Sequence, residues 1–266
     1  MNITLNHTNT GRAANSWKWI YKLGAVAAVT AMLANLLDVL LGFGGTEMVT
    51  YGTKSAIEWF AVYQTNWFRG VYALGILNIF YMVAMLPVYF ALFGAHFEKQ
   101  ALAAALTIAI FLIAMSMYIS NNAAIPLLVL SGKYALAATD LQRTILVAAG
   151  EAVLSRGEDF TAGSFIPLFL SGFAAIGISL IMLRGGIFGK VNAWIGIVGF
   201  TFLLLFTIIA TFVPALYTFA FYIFGSLGGL LALTWFALVA RRLFQLGRTA
   251  QADSEISTQR ERNENV

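Results

Sequence analysis

Six apolar runs alternate with shorter polar ones along the chain, at approximately 19–41, 68–93, 101–119, 164–183, 193–213 and 216–240. Each reaches the length of about 20 residues that crosses a hydrocarbon core of roughly 30 Å. In lipid a segment must satisfy its own backbone hydrogen bonds, so each run is predicted to be a helix. The pattern predicts an all-α, six-transmembrane-helix bundle forming a single domain over 19–248. Polar stretches flank it at 1–18 and 249–266. The second lacks apolar periodicity and reads as disordered, or as a few further turns of the last helix. Pro87 is expected to kink the second run, and Pro214 to sit in the tight turn between the fifth and sixth.

Composition strengthens this reading. The chain is 60% hydrophobic and 11% charged, with a mean hydropathy of +0.80. A soluble domain is nearer half apolar and about a quarter charged, and one soluble core of this size cannot hide the excess. The first 18 residues contain no apolar core segment, so no cleaved signal peptide is expected.

Charge then orients the bundle. An even number of crossings puts both termini on one side. Of the 16 Lys and Arg, eleven fall on that side, among them Arg12, Lys99, Arg184, Arg241 and Arg242. The other side carries Lys54, Arg69, Lys133, Arg143 and Arg156. Basic residues favour the cytoplasm, so N and C termini are expected to be cytoplasmic.

Two long segments, 42–67 and 120–163, fall on the outer side. Loops of this length usually carry structure or function. In the first, Ile57, Phe60, Ala61 and Gln64 trace one helix face, with Trp59, Tyr63 and Trp67 nearby as interfacial aromatics. In the second, Thr139 and Gln142 stand at capping-box spacing. Leu141, Ile145, Ala149 and Val153 follow at every fourth position. These extracytoplasmic amphipathic helices are expected either to cap the bundle or to rest on lipid headgroups.

The sharpest candidate for chemistry is Asp38, in LLDVLLGFGG at 36–45. On an insertion scale, aspartate at a membrane helix centre costs about 2.5–3.5 kcal/mol, and a position near the helix end lowers that cost. Arg69, at the outer start of the second run, is at similar depth and is the expected ion-pair partner. Asn35 lies one turn deeper on the same face as Asp38, and Asn78 is deeper still on the second run. Asn35, Asp38, Arg69 and Asn78 would form a polar seam between the first two spans. Such a seam can hold two helices together or line a ligand or ion pathway. Asn121 and Asn122, closing the third run, could face the same pocket or cap the helix end. Gly44 and Gly45 mark the exit from the bilayer, and Gly225 and Gly229 have the small-xxx-small spacing of close helix contacts.

Other chemistries find no support. The chain has no cysteine, which excludes disulfides and thiolate sites, and only His7 and His96, far apart, for a histidine-based metal site. No phosphate loop, nucleophile elbow or zinc-protease helix is present. No cofactor is expected. Basic residues are spread along a membrane face, so no nucleic-acid partner is expected either.

Three stretches resemble a known family. YALAATDLQRTILVAAGEAVL at 134–154 resembles an extracytoplasmic helix with a central Gln-Arg and a Gly-Glu-Ala. MLRGGIFGKVNAWIGIVG at 182–199 is similar to a short basic loop and the span after it. WFALVARRLFQLGR at 235–248 resembles a C-terminal span running into paired arginines. The family is that of bacterial multi-pass membrane proteins known as domain of unknown function 4386, and the resemblance covers mainly residues 131–248. It implies a six-span protein of the bacterial inner membrane and carries no assigned activity or catalytic residue. The expected function is therefore non-enzymatic, with an outer pocket for a small apolar or amphipathic ligand in transport or sensing. The alternative is an accessory subunit that binds another membrane protein or a second copy of itself. An intramembrane enzyme using Asp38 ranks last.

Overall fold

The computed structural model describes residues 7–43 and 54–264, with side chains placed over 17–40 and 54–249. Gly44 and Gly45, expected at the bilayer exit, lie outside the described residues. Every described element is helical. In chain order they are α1 (His7–Phe43), α2 (Ala56–Thr65), α3 (Trp67–Ala73), α4 (Ile76–Asn121), α5 (Ala124–Ala135), α6 (Asp140–Gly157), α7 (Ala162–Gly185), α8 (Lys190–Phe212), α9 (Tyr217–Ala220) and α10 (Ser226–Glu264). Among the described residues, five stretches are long and apolar enough to cross a membrane: Trp17–Leu40, Ile76–Ala135, Asp140–Gly185, Lys190–Phe212 and Pro214–Thr249. Large apolar side chains such as Trp19, Leu102 and Val191 stand exposed on the outside of the bundle, as on helices that face lipid.

The 46 residues of α4 would span about 69 Å if straight, more than twice a hydrocarbon core. Instead the helix doubles back. Gln100 leaves the helical region (φ −143°, ψ 34°) while Pro87 stays within it. Tyr89 and Phe111, equidistant from Gln100, stack with ring centroids 4.2 Å apart. The two limbs, 76–99 and 101–121, therefore lie antiparallel. The side-chain amide of Gln100 donates to the Ile181 carbonyl at 3.3 Å and fastens the bend to α7. Pro214 opens a single tight turn, Pro214–Leu216, between α8 and α9, as its fixed φ favours. Both terminal helices run beyond the apolar core: α1 starts at His7, and α10 continues through the polar tail to Glu264.

Small residues let the long helices approach. Ala25, Ala28 and Ala31 of α1 are fully buried. A Cβ on Gly24 would lie 2.4 Å from that of Ala91. Between α8 and α10 the close contact is made by Gly228, whose Cβ would sit 3.0 Å from the Gly199 carbonyl. The spacing of Gly225 and Gly229 had pointed to those two. Gly229 is one residue from Gly228, about 100° round the helix, and a Cβ there would meet open space; Gly225 lies three residues before Gly228 and faces Phe206 instead.

At one end of the bundle, α2, α3, α5 and α6 build a second core from Trp59, Phe60, Tyr63, Leu74, Leu127 and Leu154. Ser55 and Thr139 close capping boxes with Glu58 and Gln142. Tyr63 donates to the Ala124 carbonyl at 2.7 Å, and burial pushes its hydroxyl pKa above the ordinary value. Ser131 donates to the Phe60 carbonyl, and Glu151 accepts from the Ala56 amide. The buried faces differ from those the sequence suggested. In α2 the buried face is Ala56, Trp59, Phe60 and Tyr63, while Ile57, Ala61 and Gln64 are exposed. The aromatic rings, with the larger apolar area, take the inside. In α6 the buried face is Gly150, Leu154 and Gly157, while Leu141 is 71% exposed and Ile145 is exposed too. Backbone approach outweighs the apolar stripe: a Cβ on Gly157 would fall 1.9 Å from the Asn121 carbonyl oxygen.

Gly157→Val should consequently lower the apparent Tm in detergent by the equivalent of about 1–3 kcal/mol, the usual cost of overpacking. Gly132→Ala, in α5 with no atom near the added methyl, should leave Tm unchanged or raise it by up to about 1 kcal/mol. Equal behaviour of the two variants would contradict the docking of α6 described above.

Candidate functional site: a two-carboxylate cavity

A cavity of about 520 Å³ lies where the long helices meet near the capped end, within the usual size range of small-molecule pockets, roughly 300–1,000 Å³. Helical periodicity supplies its walls. α1 contributes Asn35, Asp38 and Val39; the first limb of α4 contributes Asn78, Tyr81 and Met82; the second contributes Tyr118. Ser171, Gly172 and Ala175 of α7 line it together with Gly225, just before α10, and Ser226 and Gly229 at the start of α10. The space exists because these six positions carry little or no side chain. Phe200, Phe206, Tyr217, Phe221 and Phe236 enclose the rest with aromatic rings.

The second carboxylate, Asp159, comes from the connection between α6 and α7. α6 stops at Gly157, and the Glu158 amide closes its last turn on the Leu154 carbonyl at 3.0 Å. Thr161 donates its hydroxyl back to the Glu158 carbonyl at 2.7 Å, and Ser164 pairs with Thr161 to start α7. Between them Phe160 is held at φ 62°, a left-handed backbone that costs a residue other than glycine of order 1–3 kcal/mol. Its ring is lodged against Phe206 and Tyr217, at centroid distances of 4.9 and 6.3 Å. This turn directs the Asp159 carboxyl inward, where both oxygens are engaged. Oδ2 accepts from the Asn78 amide at 2.9 Å, and Oδ1 accepts from the Tyr118 hydroxyl at 2.8 Å.

The donors are aligned by the start of α4. Gly75 has φ 83°, and a Cβ there would lie 2.8 Å from the Tyr118 hydroxyl and 3.3 Å from Asp159 Oδ2. Glycine is required both by conformation and by space. Asn122 steadies this turn without lining the cavity. Its amide donates to the Leu74 carbonyl at 3.0 Å, and its Oδ1 accepts from the Ala124 amide at 3.0 Å, so it acts as a cap and a tie. Asn121 bonds Gly163 and Arg156 instead.

Asp38 lines the same cavity as Asp159. Among the described residues its carboxyl makes no hydrogen bond or ion pair. Asn35 bonds back to the Ala31 carbonyl at 3.0 Å. The expected Asp38–Arg69 ion pair does not form. Arg69 is exposed on α3, its backbone amide bonded to Asn66, beside Ala61, Val62 and Thr65 on the surface of the cap. The sequence reading ran 68–93 as one helix antiparallel to the first. The chain instead breaks at Leu74 and Gly75, which turns Arg69 away with the cap. Of the seam residues, Asn35, Asp38 and Asn78 meet at the cavity, Asn122 supports its edge, and Arg69 is elsewhere. Asp159 takes a central place that sequence reasoning missed. Its available signal was the acidic pair Glu158-Asp159 immediately before an apolar run.

A scan against protein-family models finds no match, and no curated protein or solved structure matches the chain.

Removing one donor from a buried carboxylate forfeits a charge-assisted hydrogen bond, a loss of about 1.5–3 kcal/mol. Tyr118→Phe and Asn78→Ala should each lower stability by about that amount in detergent thermal melts. The double variant should lose less than the sum, because both donors serve one acceptor. Strict additivity would mean that the two side chains do not share Asp159.

Proposed function

We propose that this chain is a six-crossing membrane protein with cytoplasmic termini whose outer-half cavity binds a small apolar or amphipathic ligand, as part of transport or sensing rather than catalysis. The observation that carries the reading is the cavity of about 520 Å³, to which every long helix contributes and which holds both Asp38 and Asp159. A bundle selected only for packing would gain stability by filling this space, since voids forfeit dispersion contacts. The antiparallel limbs of α4 supply the sixth crossing. The excess of Lys and Arg at the opposite end supports an outward-facing cap. On that reading the exposed Leu136, Leu141 and Ile145 dip into the outer headgroup region. The bacterial inner membrane belongs to the same proposal and rests on the resemblance of residues 131–248.

Because the chain has no cysteine, single substitutions report topology and occupancy directly. Arg69→Cys and Ile145→Cys should react with a membrane-impermeant maleimide in intact cells, before the cytoplasm is opened. Reaction only after lysis would reverse the orientation. In purified protein, 1-octanol should slow labelling of Asp38→Cys several-fold and leave Arg69→Cys unchanged. Equal labelling rates with and without octanol would argue against a ligand-accessible cavity. Gly229→Phe, which projects a ring into open space, should abolish the octanol effect with little change in Tm.

A further inference from the structure

Building on the cavity reading above, we propose that the cavity selects a cation: an ammonium group carried on an apolar body, admitted sideways from the lipid. The polar end of the cavity presents Asp38 and Asp159, and among the described residues no Lys, Arg or His lines it. The two acids differ in their needs. Asp159 has both oxygens engaged by Asn78 and Tyr118, so it is fixed in place. Asp38, on the facing wall, offers its oxygens to whatever enters. An anion would be repelled by the carboxyl oxygens of both acids, and a neutral group would gain no ion pair with either. A cation between them is attracted by both in surroundings of low dielectric, where such attraction is strong.

The rest of the wall suits the remainder of such a molecule. Met82, Leu203, Phe200, Phe206 and Phe236 give an apolar, largely aromatic lining, and aromatic faces also attract ammonium groups. Two lining residues, Val39 on α1 and Leu230 on α10, are 47% and 63% exposed on the apolar flank of the bundle. On this proposal a molecule dissolved in the bilayer enters past these two exposed side chains without crossing the cap. The same chemistry could be presented by an aminophospholipid headgroup or by a free amphiphilic amine.

The test uses the full chain in dodecyl maltoside micelles, with three probes of equal chain length: octylammonium, 1-octanol and octanoate. Calorimetry on wild type should give octylammonium at least tenfold tighter binding than octanol, with octanoate weakest. Asp38→Asn should bring octylammonium to within twofold of octanol and leave octanol unchanged, which also shows that the variant is folded. Asp159→Asn should act in the same direction. If octylammonium and octanol bind wild type equally, or if the preference survives both substitutions, cation selection is overturned and the cavity reading stands. If none of the three probes binds, the cavity reading itself falls. Phosphatidylethanolamine doped into the micelles separates the two sources. Competition with octylammonium assigns the ammonium to a lipid headgroup, and undiminished octylammonium binding assigns it to a free amine.

Discussion

The fold turns on one buried carboxylate. Asp159 accepts hydrogen bonds from Asn78 on the first limb of α4 and Tyr118 on the second, while its own backbone belongs to the connection between α6 and α7. Three segments far apart in sequence are thereby tied at one point. A buried carboxylate is costly unless its oxygens are engaged, so the donors must be in place whenever the bundle is closed. The restraints around it follow from that need. Gly75 leaves room for the Tyr118 hydroxyl, Asn122 holds the Leu74–Gly75 turn, and Phe160 adopts a left-handed backbone so that Asp159 can point inward.

Small residues serve two opposed purposes in this chain. On α1, α8 and the inner part of α10 they bring helix backbones together, as at Gly24, Gly199 and Gly228. In membranes, where lipid tails are as apolar as side chains, such close contact is a principal source of helix association. One helical face away, Gly225 and Gly229 do the reverse. With Gly172 and Ser171 opposite, they leave a space that the aromatic rings border but do not fill. The same residue type thus makes a contact or a cavity according to the face it occupies.

Much of the fold was legible from pattern. The apolar runs correspond to the long helices, and the capping boxes at Ser55 and Thr139 start helices where the spacing of polar residues indicated for Thr139. Asn35, Asp38 and Asn78, which line the cavity, stood out as candidates because polar groups in apolar runs are costly and hence conspicuous. Asp159 was not, because an acid in a polar connection looks ordinary until burial makes it costly. Arg69 misled for the converse reason: depth was inferred from an unbroken helix that the chain does not form.

By itself the sequence determined the class of structure: the number and length of its apolar runs require helices, since a backbone in lipid must satisfy its own hydrogen bonds. It also marked where one helix starts, at Thr139, because capping is local. Tertiary structure alone decided which faces are buried, where the empty space lies and which acids share it. Those outcomes depend on distances between segments such as 78, 118 and 159, and on backbone approaches at Gly157 and Gly228, which helical periodicity within one segment does not encode.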